Sequence, residues 1–223
     1  MLKLNLILSK TKNNVIGMNN KLIFRITDDL LFFKNITSST DEKQNLLIMG
    51  YNTWESIPNK PLKNRINVVL TRDKCKVDFD NENIFVFDNI PELFRWLSKK
   101  EELYNKIFVI GGEEIYNQIL SKYRKFINNI YITLIDKEYY SNKHKLYFFN
   151  DNLDDFTFSE IKKINILNQA KMLNPITNEY ENVSDTLSYK FYIGHSKFMN
   201  IEEKQYINLL KEIIKENNIK ESR

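Results

Sequence analysis

Apolar runs of strand length recur along the chain between stretches with helical spacing. The clearest are Leu4 to Leu8, Asn45 to Met49, Ile66 to Leu70, Ile84 to Phe87, Lys106 to Ile110 and Asn129 to Leu134, followed by a late run at Tyr189 to Ile193. Helical pieces are predicted at Asp28 to Ser38, Asn52 to Ser56, Pro91 to Ser98 and Glu113 to Ser121, each opening after a turn or capping signal. This alternation predicts an α/β fold: a central, mostly parallel twisted sheet flanked by helices, doubly wound at first and closing with an antiparallel C-terminal strand.

The regularity fades between residues 135 and 188, a stretch rich in Asp, Asn, Lys and aromatics, where strands joined by a long surface excursion are expected. From Asn200 the pattern changes again. Asn200 with Glu203 resembles a capping box, and Tyr206, Leu209, Leu210, Ile213 and Ile214 form an apolar stripe at helical spacing. The expected organisation is one main domain over residues 1–198 and a C-terminal helix over 199–223.

With 223 residues, 42% of them hydrophobic and 28% charged, the chain is long enough to bury one good core. Five glycines and four prolines argue against a many-turned sandwich. One cysteine, Cys75, excludes an internal disulfide, and with two histidines no His/Cys cluster has metal-ligand spacing, so no metal is expected. The first ten residues alternate and lack a small-residue cleavage site, and no apolar run approaches the roughly 18 residues of a membrane span. A cytoplasmic protein with a buried first strand is expected. The net charge of +4 is mild, with acids between the lysines, so neither nucleic acid nor membrane is an expected partner.

Three elements carry candidate chemistry. Ile16-Gly17 and the stretch from Asn19 to Phe24 precede Asp28-Asp29-Leu30-Leu31-Phe32-Phe33, which sets Asp29 one helical turn before Phe33 on a partly apolar face. Desolvation there raises a carboxyl pKa towards the range useful for proton transfer. By themselves the two acids read first as helix-start residues favouring the dipole. The second element, Phe108 to Tyr116, runs a buried strand into Gly111-Gly112 and a helix, so backbone and N-terminal amides can approach a phosphate; a tight strand-to-helix turn reads the same way. Glu113 and Glu114 must then turn away. The third, Ile48 to Pro58 followed by Pro61 to Arg72, takes a strand through Gly50 into a short helix and ends the next strand on Thr71-Arg72, a hydroxyl and a guanidinium able to grip a phosphate. Arg65 alone reads as a surface cation.

In this order, the strings Ile-Met-Gly-x-x-Thr-Trp-x-Ser-Ile-Pro, Pro-Leu-x-x-Arg-x-Asn-Val-Val-Leu and Ile-Gly-Gly resemble dihydrofolate reductase over about residues 3 to 194. The resemblance implies NADPH-dependent reduction of dihydrofolate, with antifolates as ligands. Asp29 falls on the family's acid that contacts the pterin and supports protonation at N5, oriented by Thr133; Asp28 does not. Phe33, Ile57 and Leu62, with Leu22, Phe24 and Ser56, would line the substrate pocket. Arg65 would pair with the α-carboxylate of the folate glutamate. Ile7 and Ile110 would offer carbonyls to the pterin, with Tyr116 near the nicotinamide side. For the cofactor, the resemblance implies Gly111, Gly112, Glu113, Glu114 and Ile115 at the pyrophosphate, with Gly50, Tyr51, Asn52 and Thr53. Leu70, Thr71 and Arg72 would meet the adenosine 2′-phosphate, and Ser9, Ile16 and Gly17 would lie beside the nicotinamide. The family's Gly-Gly peptide is usually cis, and the Val15 to Phe24 loop would be a mobile flap.

Departures from the family pattern matter. Ile23-Phe24 stands for Pro-Trp, Ser9 for Ala, and Tyr51 for a common cation, while Asp88 lies near the adenosine phosphate. Leu146-Tyr147-Phe148-Phe149-Asn150 replaces an Asp-Thr-Phe-Phe-Pro run. The tail from Glu202 to Arg223 is similar to the opening helix of thymidylate synthase, which implies a bifunctional reductase–synthase cut before the synthase body. Two rival readings are a riboflavin-pathway reductase of the same fold and a non-catalytic cofactor-binding module that docks a synthase.

Overall fold

The structure is a computed structural model and describes residues 3–39, 41–77, 81–167, 170–183 and 186–197. The expected C-terminal helix at 199–223 lies outside the described residues. The first half contains β1 (Leu4–Thr11), β2 (Val15–Met18), β3 (Lys21–Leu22), β4 (Phe24–Ile26), α1 (Thr27–Thr37), β5 (Asn45–Gly50), α2 (Tyr51–Ser56), β6 (Arg65–Leu70) and β7 (Ile84–Phe87). The second half contains α3 (Ile90–Leu97), β8 (Ile107–Gly111), α4 (Glu113–Lys122), β9 (Ile127–Ile135), β10 (Leu146–Phe148), β11 (Phe156–Leu167), β12 (Ala170–Leu173), β13 (Tyr180–Asn182) and β14 (Thr186–Ser196).

Eight strands form the central sheet in the order β11-β14-β9-β1-β8-β5-β6-β7. Every neighbouring pair from β9 to β7 is parallel, and β14 runs antiparallel to both β9 and β11. The expected mostly parallel sheet with an antiparallel closing strand is therefore present. Its strands are buried on both faces because helices cover both. All six residues of β6 are buried. Side chains alternate between two cores: Leu47, Met49 and Phe108 pack with Phe32 and Ile36 of α1 and Trp54 of α2. Leu46, Ile48 and Val109 pack on the opposite face with Leu93 of α3 and Ile119 of α4.

Strands β1 and β8 are neighbours whose connections leave in opposite directions, from β1 through α1 towards β5 and from β8 through α4 towards β9. The carboxyl ends of such a pair form the crevice that ligands use in open α/β sheets. Of the expected helix-opening signals, Asn89 caps α3 by accepting from the Glu92 amide at 2.9 Å. The other three helices open without a side-chain cap, after Ile26, Gly50 and Gly112.

The stretch 135–188 does more than cross the surface. Strand β10 pairs with β2, and β12 pairs with β4, so the expected flap is held on both margins by chain from the second half. The amide of Leu173 donates to Ile23 O at 2.8 Å, and Tyr180 Oη donates to Leu22 O at 2.7 Å. Arg25 stacks on the Tyr180 ring, 4.1 Å from its centre. Near Leu146, where the family has an acid, main-chain pairing of Tyr147 with Gly17 and a Tyr147–Asn20 hydrogen bond of 3.0 Å make the connection. Among the described residues no helix is long and apolar enough to cross a membrane.

Candidate active site

Asp29 sits in the first turn of α1, at the carboxyl end of β1, and hydrogen-bonds Thr133 of β9. Thr133 is 1% exposed and lies opposite Ser9 of β1, so the hydroxyl is fixed by the sheet. The residue as a whole keeps some exposure, but its carboxyl is desolvated. Burial pushes its pKa up to about 6, and the Thr133 hydrogen bond opposes the rise. Asp28 faces elsewhere: its Oδ2 accepts from Tyr189 Oη at 2.8 Å. Burial first, and then the Asp28 carboxylate, suppress the acidity of Tyr189, so it stays a donor.

An apolar wall continues from the acid. Phe33, Ile57, Leu62 and Ile110 are half-buried and pack against one core cluster, which also takes in Ile7 and Phe24. Ile7 O accepts from Tyr116 Oη at 2.8 Å, which seats Tyr116 beneath the site. Ser9, Ile16, Leu22 and Phe24 meet in a narrow crevice between β1 and the flap. Leu22 is 44% exposed and Ser56 turns back to Thr53 O at 2.7 Å, so neither contributes to the wall in this arrangement.

Arg65 closes the far end. It is 7% exposed, donates from Nε to Lys63 O at 3.1 Å and from Nη1 to Thr37 Oγ1 at 2.9 Å. A guanidinium has five N–H groups, so three remain for a ligand. Among the described residues no carboxylate pairs with it. Burial lowers its pKa, yet a group starting at 12.5 stays cationic at neutral pH. A buried cation without an anion is costly, and a carboxylate ligand removes that cost. The sequence reading of Arg65 as a surface cation is corrected by its burial under α1.

On the other side of the acid, Gly111 joins β8 to α4 through a cis peptide to Gly112, as the resemblance implies. Gly111 has φ of 106°, and a Cβ there would lie 3.0 to 3.1 Å from the Tyr116 ring. A Cβ on Gly112 would lie 3.3 Å from Thr53 Oγ1, so the two glycines let α2 and α4 converge. Both first-turn acids of α4 turn away from its amides. Glu113 Oε1 accepts from Phe148 N at 2.8 Å and Glu114 pairs with Gln118 at 3.3 Å. The helix start between Gly50, Thr53 and Gly112 is thus open to a phosphate. Ile115 is buried against Gly50, while Asn52 is exposed. Gly111→Ala combines a left-handed backbone with a ring contact and is expected to destabilise the fold by about 2–4 kcal/mol, read by urea unfolding.

At the ends of β6 and β7, Leu70 is buried, Thr71 accepts from the Asp73 amide at 3.2 Å and Arg72 is exposed without an ion pair among the described residues. Two lysines that the sequence reading passed over alter the local charge. Lys74 lies 3.4 Å from Asp88 and 3.7 Å from Glu92, and Lys76 Nζ lies 5.8 Å from the centre of the Tyr51 ring. Lys76 also pairs with Asp73 at 3.3 Å, so both lysines are engaged by carboxylates and Arg72 keeps the unpaired positive charge here among the described residues. The only signal available in sequence was their closeness to Arg72. Among the described residues no group of acids, histidines and cysteines is arranged to hold a metal.

Fold and site together define a class: a doubly wound α/β enzyme with a desolvated acid in a cleft at the carboxyl edge of its parallel strands. Comparison with known proteins resolves the class further. The chain belongs to the dihydrofolate reductase family, whose profile matches residues 3–182. It is 31% identical to a bifunctional dihydrofolate reductase-thymidylate synthase of Plasmodium berghei over 85% of this chain and 40% of that protein. It is 35% identical to a dihydrofolate reductase of Heliothis virescens over 61% of this chain and 75% of that one. A bifunctional relative from Paramecium tetraurelia is 29% identical over 98% of this chain and 42% of its own length. The chain therefore spans about two fifths of the bifunctional relatives it matches.

Proposed function

We propose that this chain reduces 7,8-dihydrofolate to tetrahydrofolate with NADPH. The observation that carries this reading is the Asp29 carboxyl, desolvated, tuned to about 6 and fixed by Thr133 between a phosphate-accepting helix start and a buried free guanidinium. Reduced nicotinamide supplies a hydride when bound. Asp29 holds the pterin by its amino group and ring nitrogen and favours the tautomer that takes a proton at N5. Thr133 keeps the Asp29 carboxyl in plane with that edge. Phe33, Ile57 and Leu62 cover the ring and aminobenzoyl group and exclude water, which strengthens the acid's interaction with the pterin. Arg65 takes the glutamate α-carboxylate.

The residues fit the cofactor: glycines at 111 and 112 clear the approach, the α4 amides are free of their own acids, and Arg72 offers an exposed guanidinium just beyond the end of β6. The deciding experiment mixes chain, NADPH and dihydrofolate and follows nicotinamide absorbance. No decline rejects the reading, and decline with a riboflavin-pathway substrate in its place transfers it to that class. Arg72→Ala is expected to raise KM for NADPH about tenfold with little change for NADH. A variant that discriminates the two cofactors as well as its parent overturns the role given to Arg72.

We also propose that the chain works joined to a thymidylate synthase, as in the bifunctional relatives. The resemblance of residues 199–223 to the opening of a synthase supports this. A native reading frame without synthase sequence after Arg223 would refute it.

A further inference from the structure

Asn67 belongs to the Arg-x-Asn string, yet no part of the chemistry above uses it. It is fully buried in β6, and its amide makes three hydrogen bonds to one segment. Oδ1 accepts from Leu62 N at 3.0 Å, while Nδ2 donates to Leu62 O at 3.0 Å and to Arg65 O at 2.8 Å. Both donors of the amide are therefore committed, and its orientation is fixed by an amide on one side and two carbonyls on the other. Only a short side chain that both donates and accepts can hold one residue by its backbone N–H and C=O together. Aspartate lacks the donor, and serine lacks the span.

The held segment turns tightly, with Asn64 at φ of 59°, and presents the two residues assigned to the substrate's outer half. Leu62 packs beside Phe33 and Ile57. Arg65 is fixed at its tip by Thr37 Oγ1, whose residue is fully buried and whose carbonyl accepts from Asn45 Nδ2 at 3.0 Å. Thr37 thus sets the guanidinium end of Arg65, and Asn67 sets its backbone end. Neither contact involves Asp29, which lies at the opposite end of α1 from Thr37, or the glycines that precede α4.

We propose that Asn67 is a positioning residue for the tail of the substrate, holding Leu62 and Arg65 in the one arrangement that receives the aminobenzoyl-glutamate. The proposal rests on the assignment of Arg65 to the glutamate carboxylate. It separates the two halves of the substrate: the reacting pterin is seated by Asp29 and the tail by the Asn67-held segment.

The test compares the parent, Asn67→Asp, Arg65→Gln and the double variant with two substrates, dihydrofolate and a dihydropterin lacking the aminobenzoyl-glutamate. Asn67→Asp should lower kcat/KM for dihydrofolate about tenfold, mainly through KM, and change the truncated substrate by less than about twofold. In the Arg65→Gln background it should add clearly less than about tenfold, since the part of its effect that runs through Arg65 is already lost and only the part through Leu62 remains. Equal losses with both substrates, or independent multiplication of the two effects, would overturn the proposal in favour of a structural role. An unchanged substrate ratio in Arg65→Gln removes the underlying assignment, and the proposal with it. Asn67→Ser serves where the aspartate variant does not fold, and failure of both to fold assigns Asn67 to stability alone.

Discussion

Asp29→Asn is expected to lower turnover at neutral pH by about two to three orders of magnitude and at the same time to stabilise the fold. Asparagine keeps the size of the side chain and can accept from Thr133, so geometry is preserved while the exchangeable charge is lost. In the parent, the proton-linked rate should be high below pH 6 and fall as pH rises through about 6, where Asp29 ionises. In the variant that step should vanish, whereas NADPH binding, which involves other elements, should change little. Persistence of the step near pH 6 would assign it to another group, and equal loss of turnover and cofactor binding would make Asp29 structural.

The stability half follows from linkage. The folded pKa of about 6 lies above the ordinary 3.8, so the fold prefers the protonated acid. Below pH 3.8 both folded and unfolded chains carry the proton and Asp29 costs nothing. Between 3.8 and 6 the unfolded chain ionises first and stability is lost; above 6 the loss is complete, on the order of 2–3 kcal/mol. The variant should therefore gain about that much at pH 7 and nothing at pH 3.5, read by urea unfolding at both values. A gain of equal size at both would mean that packing, not ionisation, is responsible.

Arg65→Gln is expected to raise KM for dihydrofolate by about 10- to 100-fold with kcat nearly unchanged. A charge-assisted, two-pronged contact to a carboxylate contributes about 1.5–3 kcal/mol, and it is made equally in ground and transition states. The guanidinium is anchored by Lys63 O and Thr37 Oγ1 before any ligand arrives, so little ordering is required on binding. Glutamine can keep a bond to Thr37 but not the charge. An unchanged KM would show that the buried cation answers to something other than a carboxylate-bearing substrate.

Much of the site was legible because it is local. Gly111 and Gly112 stand at a strand-to-helix junction in the sequence itself, and Asp29 falls one turn from Phe33 by helical spacing alone. The turning away of Glu113 and Glu114 could be required from sequence but not seen, since Glu113 reaches Phe148, 35 residues on. Arg65 looked like a surface cation because burial under α1 depends on Thr37, which lies 28 residues earlier. The flap looked free because its partners lie far along the chain: Phe24 pairs with Met172, and Gly17 with Tyr147. Those partners sit in a polar, irregular stretch with weak periodicity, so no local pattern announced them.

By itself the sequence determined the alternation of strands and helices, the junction glycines and the placing of an acid at the start of α1. These depend on side-chain period and backbone conformation within a few residues. Only the tertiary structure decided which carboxyl of the Asp28-Asp29 pair is tuned. Thr133 and Tyr189 lie on the neighbouring strands β9 and β14, and each takes one of two adjacent acids that share the first turn of α1. The pKa of a carboxyl is set by the water it loses and the donors it gains, and here the donors come from strands more than 100 residues away.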